Sequence, residues 1–137
     1  MARKRSAHDV GGLAGRRILV VEDEYFIADD LSRALQRHGA RVVGPVPDLA
    51  AGLDLATRDP LDSAVLDVNL GGEMSYPIAD RLSERGVPFL FTTGYDERTL
   101  DPGYAAITRI EKPFESSMVM MALIQLVGER PAREAKS

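Results

Sequence analysis

Four short apolar runs each end in residues that could act together. Ile18-Leu19-Val20-Val21 leads into Glu22-Asp23-Glu24, Ala64-Val65-Leu66 into Asp67, Pro88-Phe89-Leu90-Phe91 into Thr92-Thr93, and Ile107 to Ile110 into Glu111-Lys112-Pro113. If the strands carrying Glu22, Asp23 and Asp67 are neighbours, three carboxylates meet at one edge, and their mutual repulsion calls for a cation. Mg²⁺ is the natural occupant: it prefers oxygen ligands, keeps several waters, and takes one or two carboxylates plus a phosphate oxygen. The chemistry this suits is phosphoryl transfer, with Asp67 as nucleophile, the Lys112 ammonium stabilising charge and the Thr93 hydroxyl binding an equatorial oxygen. Taken singly, each residue has a structural explanation. The acidic triplet suits a solvated helix start, Asp67 could satisfy loop amides, the threonines could be ordinary strand residues, and Lys112 could serve solubility. Their joint placement at four strand ends favours one site.

The elements that must position these residues follow from hydrophobic periodicity. Ile18 to Val21 reads as a first strand, and Ile27, Ala28, Leu31, Ala34, Leu35 and His38 as a helix stopped by Gly39. Arg41 to Val43 gives a strand, Leu49 to Thr57 a helix, Ala64 to Leu66 a strand, and Ile78 to Leu82 part of a helix capped by Ser75 with Pro77 in its first turn. Pro88 to Phe91 and Ile107 to Ile110 complete five strands, and Phe114 to Val127 forms the last helix. Between the last two strands Asp101-Pro102-Gly103 interrupts the pattern, so a short or mobile helix is expected there. Alternating strands and helices imply an α/β fold with a parallel sheet covered on both faces, and ligands bind beyond the carboxyl ends of its strands.

A chain of 137 residues with 45% apolar content suits one compact domain. Residues 1–15, with Arg3-Lys4-Arg5 and Gly11-Gly12, read as a flexible leader, residues 16–127 as the domain, and residues 128–137 as a polar tail. The absence of cysteine excludes disulfides and thiolate zinc sites and fits a reducing cytoplasm. No apolar run approaches the roughly 20 residues that span a bilayer, so a soluble cytoplasmic protein without membrane contact is expected. A net charge of −4 argues against DNA as a partner.

From Arg16 to Val127 the chain resembles the receiver domains of two-component response regulators. Val20-Val21-Glu22-Asp23-Glu24 is similar to that family's acidic-pair motif and Leu66-Asp67-Val68-Asn69-Leu70 to its phosphoacceptor motif. Thr93-Gly94 resembles its switch hydroxyl and small residue, and Glu111-Lys112-Pro113-Phe114 its Lys-Pro-Phe motif. The resemblance implies a flavodoxin-like, doubly wound, five-stranded parallel sheet of order 2-1-3-4-5 with helices on both faces. It implies a Mg²⁺ held directly by Asp23, Asp67 and the Asn69 main-chain carbonyl, with Glu22 acting through water, and a cis Lys112–Pro113 peptide that aims the ammonium at Asp67. Within the family, Tyr76-Pro77 and Phe91-Thr92-Thr93-Gly94-Tyr95 resemble a subgroup of small single-domain receivers with a Phe-Ala-Thr-Gly-type motif, although Thr92 stands where that subgroup has alanine.

Arg109 marks the main departure. Most receivers have Tyr or Phe three positions before the lysine, and an arginine entering an apolar slot would have to be desolvated or paired. The expected alternative is that phosphorylation orders Asp96 to Tyr104, with Thr93 as trigger and Gly94 as hinge. Met118 to Ile124 is apolar almost all round, which leaves a face for a partner or a homodimer. The stretch after Val127 is too short for an output module, so a stand-alone switch or phosphate sink is expected, fed by a histidine kinase or histidine phosphotransfer protein and read by a separate downstream protein. It would catalyse only its own phosphorylation and dephosphorylation. The alternative is a phosphorylation-independent protein-binding module. A phosphatase acting on other molecules is disfavoured, because Asp67-Val68-Asn69 lacks a second aspartate as proton donor. His8 and His38 are not placed for catalysis.

Overall fold

A computed structural model describes residues 12–94 and 100–128. Its elements alternate as the sequence requires: β1 (Arg17–Val21), α1 (Tyr25–Arg37), β2 (Arg41–Val46), α2 (Leu49–Arg58) and β3 (Ser63–Asp67) come first. Two short strands follow, β4 (Asn69–Leu70) and β5 (Glu73–Met74), then α3 (Tyr76–Glu84), β6 (Phe89–Thr93), a 3₁₀ turn (Pro102–Tyr104), β7 (Arg109–Glu111) and α4 (Ser116–Val127). The main sheet is parallel throughout and ordered β2-β1-β3-β6-β7, which is 2-1-3-4-5 when its five strands alone are counted.

The strands β3 and β6 are buried at every residue, as expected of a sheet covered on both faces. Because successive side chains point to opposite faces, each strand feeds two cores. Ile18, Val20, Val65 and Leu90 pack with Leu31 and Leu35 of α1 and Val119 and Leu123 of α4. Leu19, Val21, Leu66 and Phe91 pack with Ala56 of α2 and Ile78 and Leu82 of α3. The α2 and α3 helices approach so closely that a Cβ built on Gly52 would lie 2.6 Å from Ile78 Cδ1.

Helix ends follow their local chemistry. Gly39 adopts φ 80°, Gly39 N donates to Gln36 O and Ala40 N donates to Leu35 O, a Schellman closure of α1 that only a residue tolerant of positive φ makes cheaply. The Asp48 carboxylate caps α2 by accepting from Ala51 N at 2.8 Å.

Several expectations are corrected. Ser75 stands at the N-cap of α3, yet its hydroxyl makes no capping bond and is buried without a partner; its carbonyl instead accepts from Ile78 N and Ala79 N. The last strand begins at Arg109, because Ile107 N closes the preceding turn onto Tyr104 O and its side chain packs against the α2–α3 core. Leu13, inside the expected leader, is fully buried in the α1–α4 core, and Gly15 N donates to Gly39 O, so packing begins before residue 16. Residues 1–11 of that leader, His8 included, lie outside the described residues, as do residues 95–99 and 129–137. The short helix expected between β6 and β7 is, in the described part, a single 3₁₀ turn. The apolar α4 resolves into a buried face of Val119, Met120, Leu123 and Val127 and an exposed pair, Met118 and Met121. Among the described residues no helix is long and apolar enough to cross a membrane.

Candidate functional site

The four polar strand ends converge. Parallel pairing of β1 with β3, β3 with β6 and β6 with β7 sets Val21 opposite Leu66, Asp67 opposite Thr92, and Thr93 opposite Glu111. Beyond them opens a cleft of about 230 Å³, lined by Asp23, Glu24, Asp67, Asn69, Gly94 and Lys112 together with the Gly71-Gly72 turn. Oxygens from Glu22, Asp23, Glu24 and Asp67 all lie within 4.8 Å of one another.

Lys112 is the cation at this centre. Its peptide bond to Pro113 is cis, and its ammonium donates to Asp67 Oδ2 at 2.9 Å, Glu22 Oε2 at 3.1 Å and Glu24 Oε2 at 3.1 Å. Asp67 Oδ1 accepts from Asn69 N at 3.1 Å, which fixes the carboxylate plane. Asn69 Oδ1 in turn accepts from Gly72 N at 2.6 Å and holds the β4–β5 hairpin beside the cleft. Gly71 and Gly72 both have positive φ, the requirement of a tight two-residue hairpin. Glu22 is buried; its Oε2 also accepts from Glu24 N, while its Oε1 is buried with no partner.

One ammonium does not neutralise this many acids in a dry place. Burial, the largest influence, pushes the Glu22 carboxyl from 4.5 up to about 8 against the opposing Glu24 amide, and the Asp67 charge adds to the rise. Burial likewise raises Asp67, although its bond to Lys112 pulls the other way. For Lys112 burial favours the neutral form, but the bonds and charges of Asp67 and Glu22 prevail and hold it above its ordinary value. A folded chain that keeps protons the unfolded chain has already lost becomes less stable as pH rises between the two pKa values. In a chelator, the thermal midpoint should therefore fall as pH climbs from about 4.5 to about 8. Glu22→Gln should flatten that slope; an unchanged slope in the variant would place the cost elsewhere.

The donor set fits a hard cation. It is all oxygen, it carries surplus negative charge, and Glu22 Oε1 is an orphaned buried acceptor. Of the residues predicted from sequence, Asp23, Asp67, Asn69 and Lys112 line the cleft, and Glu22 joins it through Lys112. Thr93 is buried at the end of β6, where its carbonyl accepts from Lys112 N at 2.7 Å; Gly94, not Thr93, lines the cleft. Glu24 was not singled out within the acidic triplet, and the signal for it was only its adjacency to Asp23. Arg109 is exposed on β7, so its charge is not forced into the core.

The comparisons agree with this geometry. The sequence pattern of the response regulator receiver domain matches residues 18–124. The solution structure of SdrG from Sphingomonas melonis Fr1 is 38% identical with a TM-score of 0.74, covering 82% of this chain and 97% of SdrG. SdrG in its BeF3-activated conformation matches with a TM-score of 0.68, covering 83% of this chain and 98% of that one. The sensory transduction protein LytR of Streptococcus agalactiae is 32% identical over 114 residues, 78% of this chain and 46% of LytR. The transcriptional regulatory protein PdtaR of Mycobacterium tuberculosis is 29% identical over 121 residues, 84% of this chain and 58% of PdtaR. The chain thus spans about half the length of these two curated relatives. With the motif-bearing strand ends gathered around Lys112 and the family pattern running from β1 into α4, the chain belongs to the response regulator receiver domain family.

Proposed function

We propose that this domain accepts a phosphoryl group on Asp67 from a histidine kinase or histidine phosphotransfer protein, in a Mg²⁺-dependent reaction, and acts as a phospho-switch or phosphate sink in two-component signalling. The observation that carries the reading is the Lys112 ammonium 2.9 Å from the Asp67 carboxylate inside an acidic cleft. In the transfer, an Asp67 oxygen forms an O–P bond as the N–P bond of a phosphohistidine breaks. The electron pair stays on the imidazole, which leaves neutral when its other nitrogen carries the proton. Lys112 offers positive charge to the phosphoryl oxygens, and Thr93 is the hydroxyl assigned to an equatorial oxygen once the end of β6 adjusts.

Asp23, Asp67 and the Asn69 carbonyl would hold Mg²⁺ directly, and Glu22 through water. When bound, the cation supplies charge neutralisation at the transferred group. The domain would catalyse only its own phosphorylation and dephosphorylation. Met118 and Met121 are the exposed apolar side chains of α4 available to a downstream protein or a second copy of the chain.

Incubation with phosphoramidate and Mg²⁺, followed by intact mass, tests the reading. One phosphoryl adduct is expected, located on the peptide containing Asp67 and lost when a chelator replaces the cation. No adduct under any cation condition would overturn it and leave the phosphorylation-independent binding module.

A further inference from the structure

The Lys112 ammonium has three N–H donors, and Asp67, Glu22 and Glu24 take one each. A phosphoryl group on Asp67 brings oxygens that need the same donors, so a bond must open. The three acceptors differ in what release costs them. The side chains of Glu22 and Asp67 are 1% and 3% exposed, and an oxygen deprived of its donor there stays unpaired in a dry site. That of Glu24 is 58% exposed and is rehydrated cheaply. Glu24 also stands at the N-cap of α1 with no side-chain bond to the helix amides; its carboxylate reaches across the cleft instead.

We infer that Glu24 is a positioning residue for Lys112, a point that rests on the phosphoacceptor reading above. It holds one N–H of the ammonium in the unphosphorylated chain, alongside the bonds to Asp67 and Glu22, and surrenders it when the phosphoryl group arrives. Its effect is a brake on loading: the bond to Glu24 must break first, and the charge left behind opposes the incoming group. With phosphoramidate as donor, whose nitrogen is already protonated as –NH3⁺ at neutral pH, the P–N bond breaks as the Asp67 O–P bond forms, and the nitrogen leaves as neutral ammonia with the electron pair. Lys112 exchanges one acceptor for another and gives up no proton.

Glu24→Gln keeps the shape and removes the charge. In the full chain, with phosphoramidate and saturating Mg²⁺, it should load roughly three- to tenfold faster than the native protein, the range set by one partly screened charge. The Lys112 side-chain ¹⁵N resonance of the unphosphorylated variant should shift, which a merely structural role for Glu24 would not cause. A loading rate within twofold of native or below it, or faster loading with the Lys112 resonance unmoved, overturns the inference. If the native chain itself gains no phosphoryl mass, the phosphoacceptor reading has failed instead, so the two failures are told apart.

Discussion

Asp67→Asn will leave a folded chain that gains no phosphoryl mass from phosphoramidate and Mg²⁺. The substitution keeps the side chain's shape and its acceptor toward Asn69 N, but an amide oxygen is not a nucleophile at neutral pH, so the loss is complete rather than partial. It should not be traced to unfolding. The Asp67 carboxyl is raised by burial, which means that its charged form is disfavoured by the fold. Lys112 keeps Glu22 and Glu24 as partners after the change. The thermal midpoint of the variant in chelator is therefore expected to be no lower than that of the native chain. Intact mass of native and variant chains, run in parallel with thermal unfolding, decides the matter. Equal mass gain in the variant would move the acceptor to another residue and sink the assignment of Asp67.

The strand ends were legible because two regularities coincide. Runs such as Ile18 to Val21 are apolar at every position, as a strand between two cores must be, and the polar residues just after each run fall at the carboxyl edge of the sheet, where such folds bind ligands. That logic found Asp67 and Lys112 without any knowledge of their partners. It could not find what depends on side chains crossing between elements. Glu24 looked like a solvated helix start and instead accepts a hydrogen bond from a lysine 88 residues away. Leu13 sits among glycines, with too few apolar neighbours to set a period, so only packing against α1 and α4 reveals it as core. Ile107 has the composition of a strand residue, but its amide is taken by the turn before it. Arg109 raised an electrostatic objection to the usual readout, and the fold meets it by leaving that side chain in solvent.

What stands inside the fold near β6 is an aromatic group, and Phe91→Ala is expected to remove its keystone. Phe91 is fully buried, and its ring meets Phe89, Tyr76 and Tyr104 edge-on at 5.6, 6.2 and 6.1 Å. Tyr76 and Tyr104 stack at 4.4 Å and 4° between α3 and the 3₁₀ turn. The turn is tied down further where Tyr104 Oη donates to Asp80 Oδ1 at 2.5 Å and Asp101 N donates to Tyr76 Oη at 3.0 Å. Truncating the ring should cost about 3–5 kcal/mol, large against the roughly 5–15 kcal/mol that holds a domain together. The denaturant midpoint should fall at unchanged slope, and the amides of Gly103 and Tyr104 should exchange faster than those of β1. A loss below about 1 kcal/mol would mean that the site refills and the rings are not mutually dependent. Phe91 also lies two residues before Thr93, whose carbonyl accepts from Lys112 N. A shift at the cleft end of β6 therefore has a rigid neighbour through which to reach the turn, a route that an exposed Arg109 does not offer.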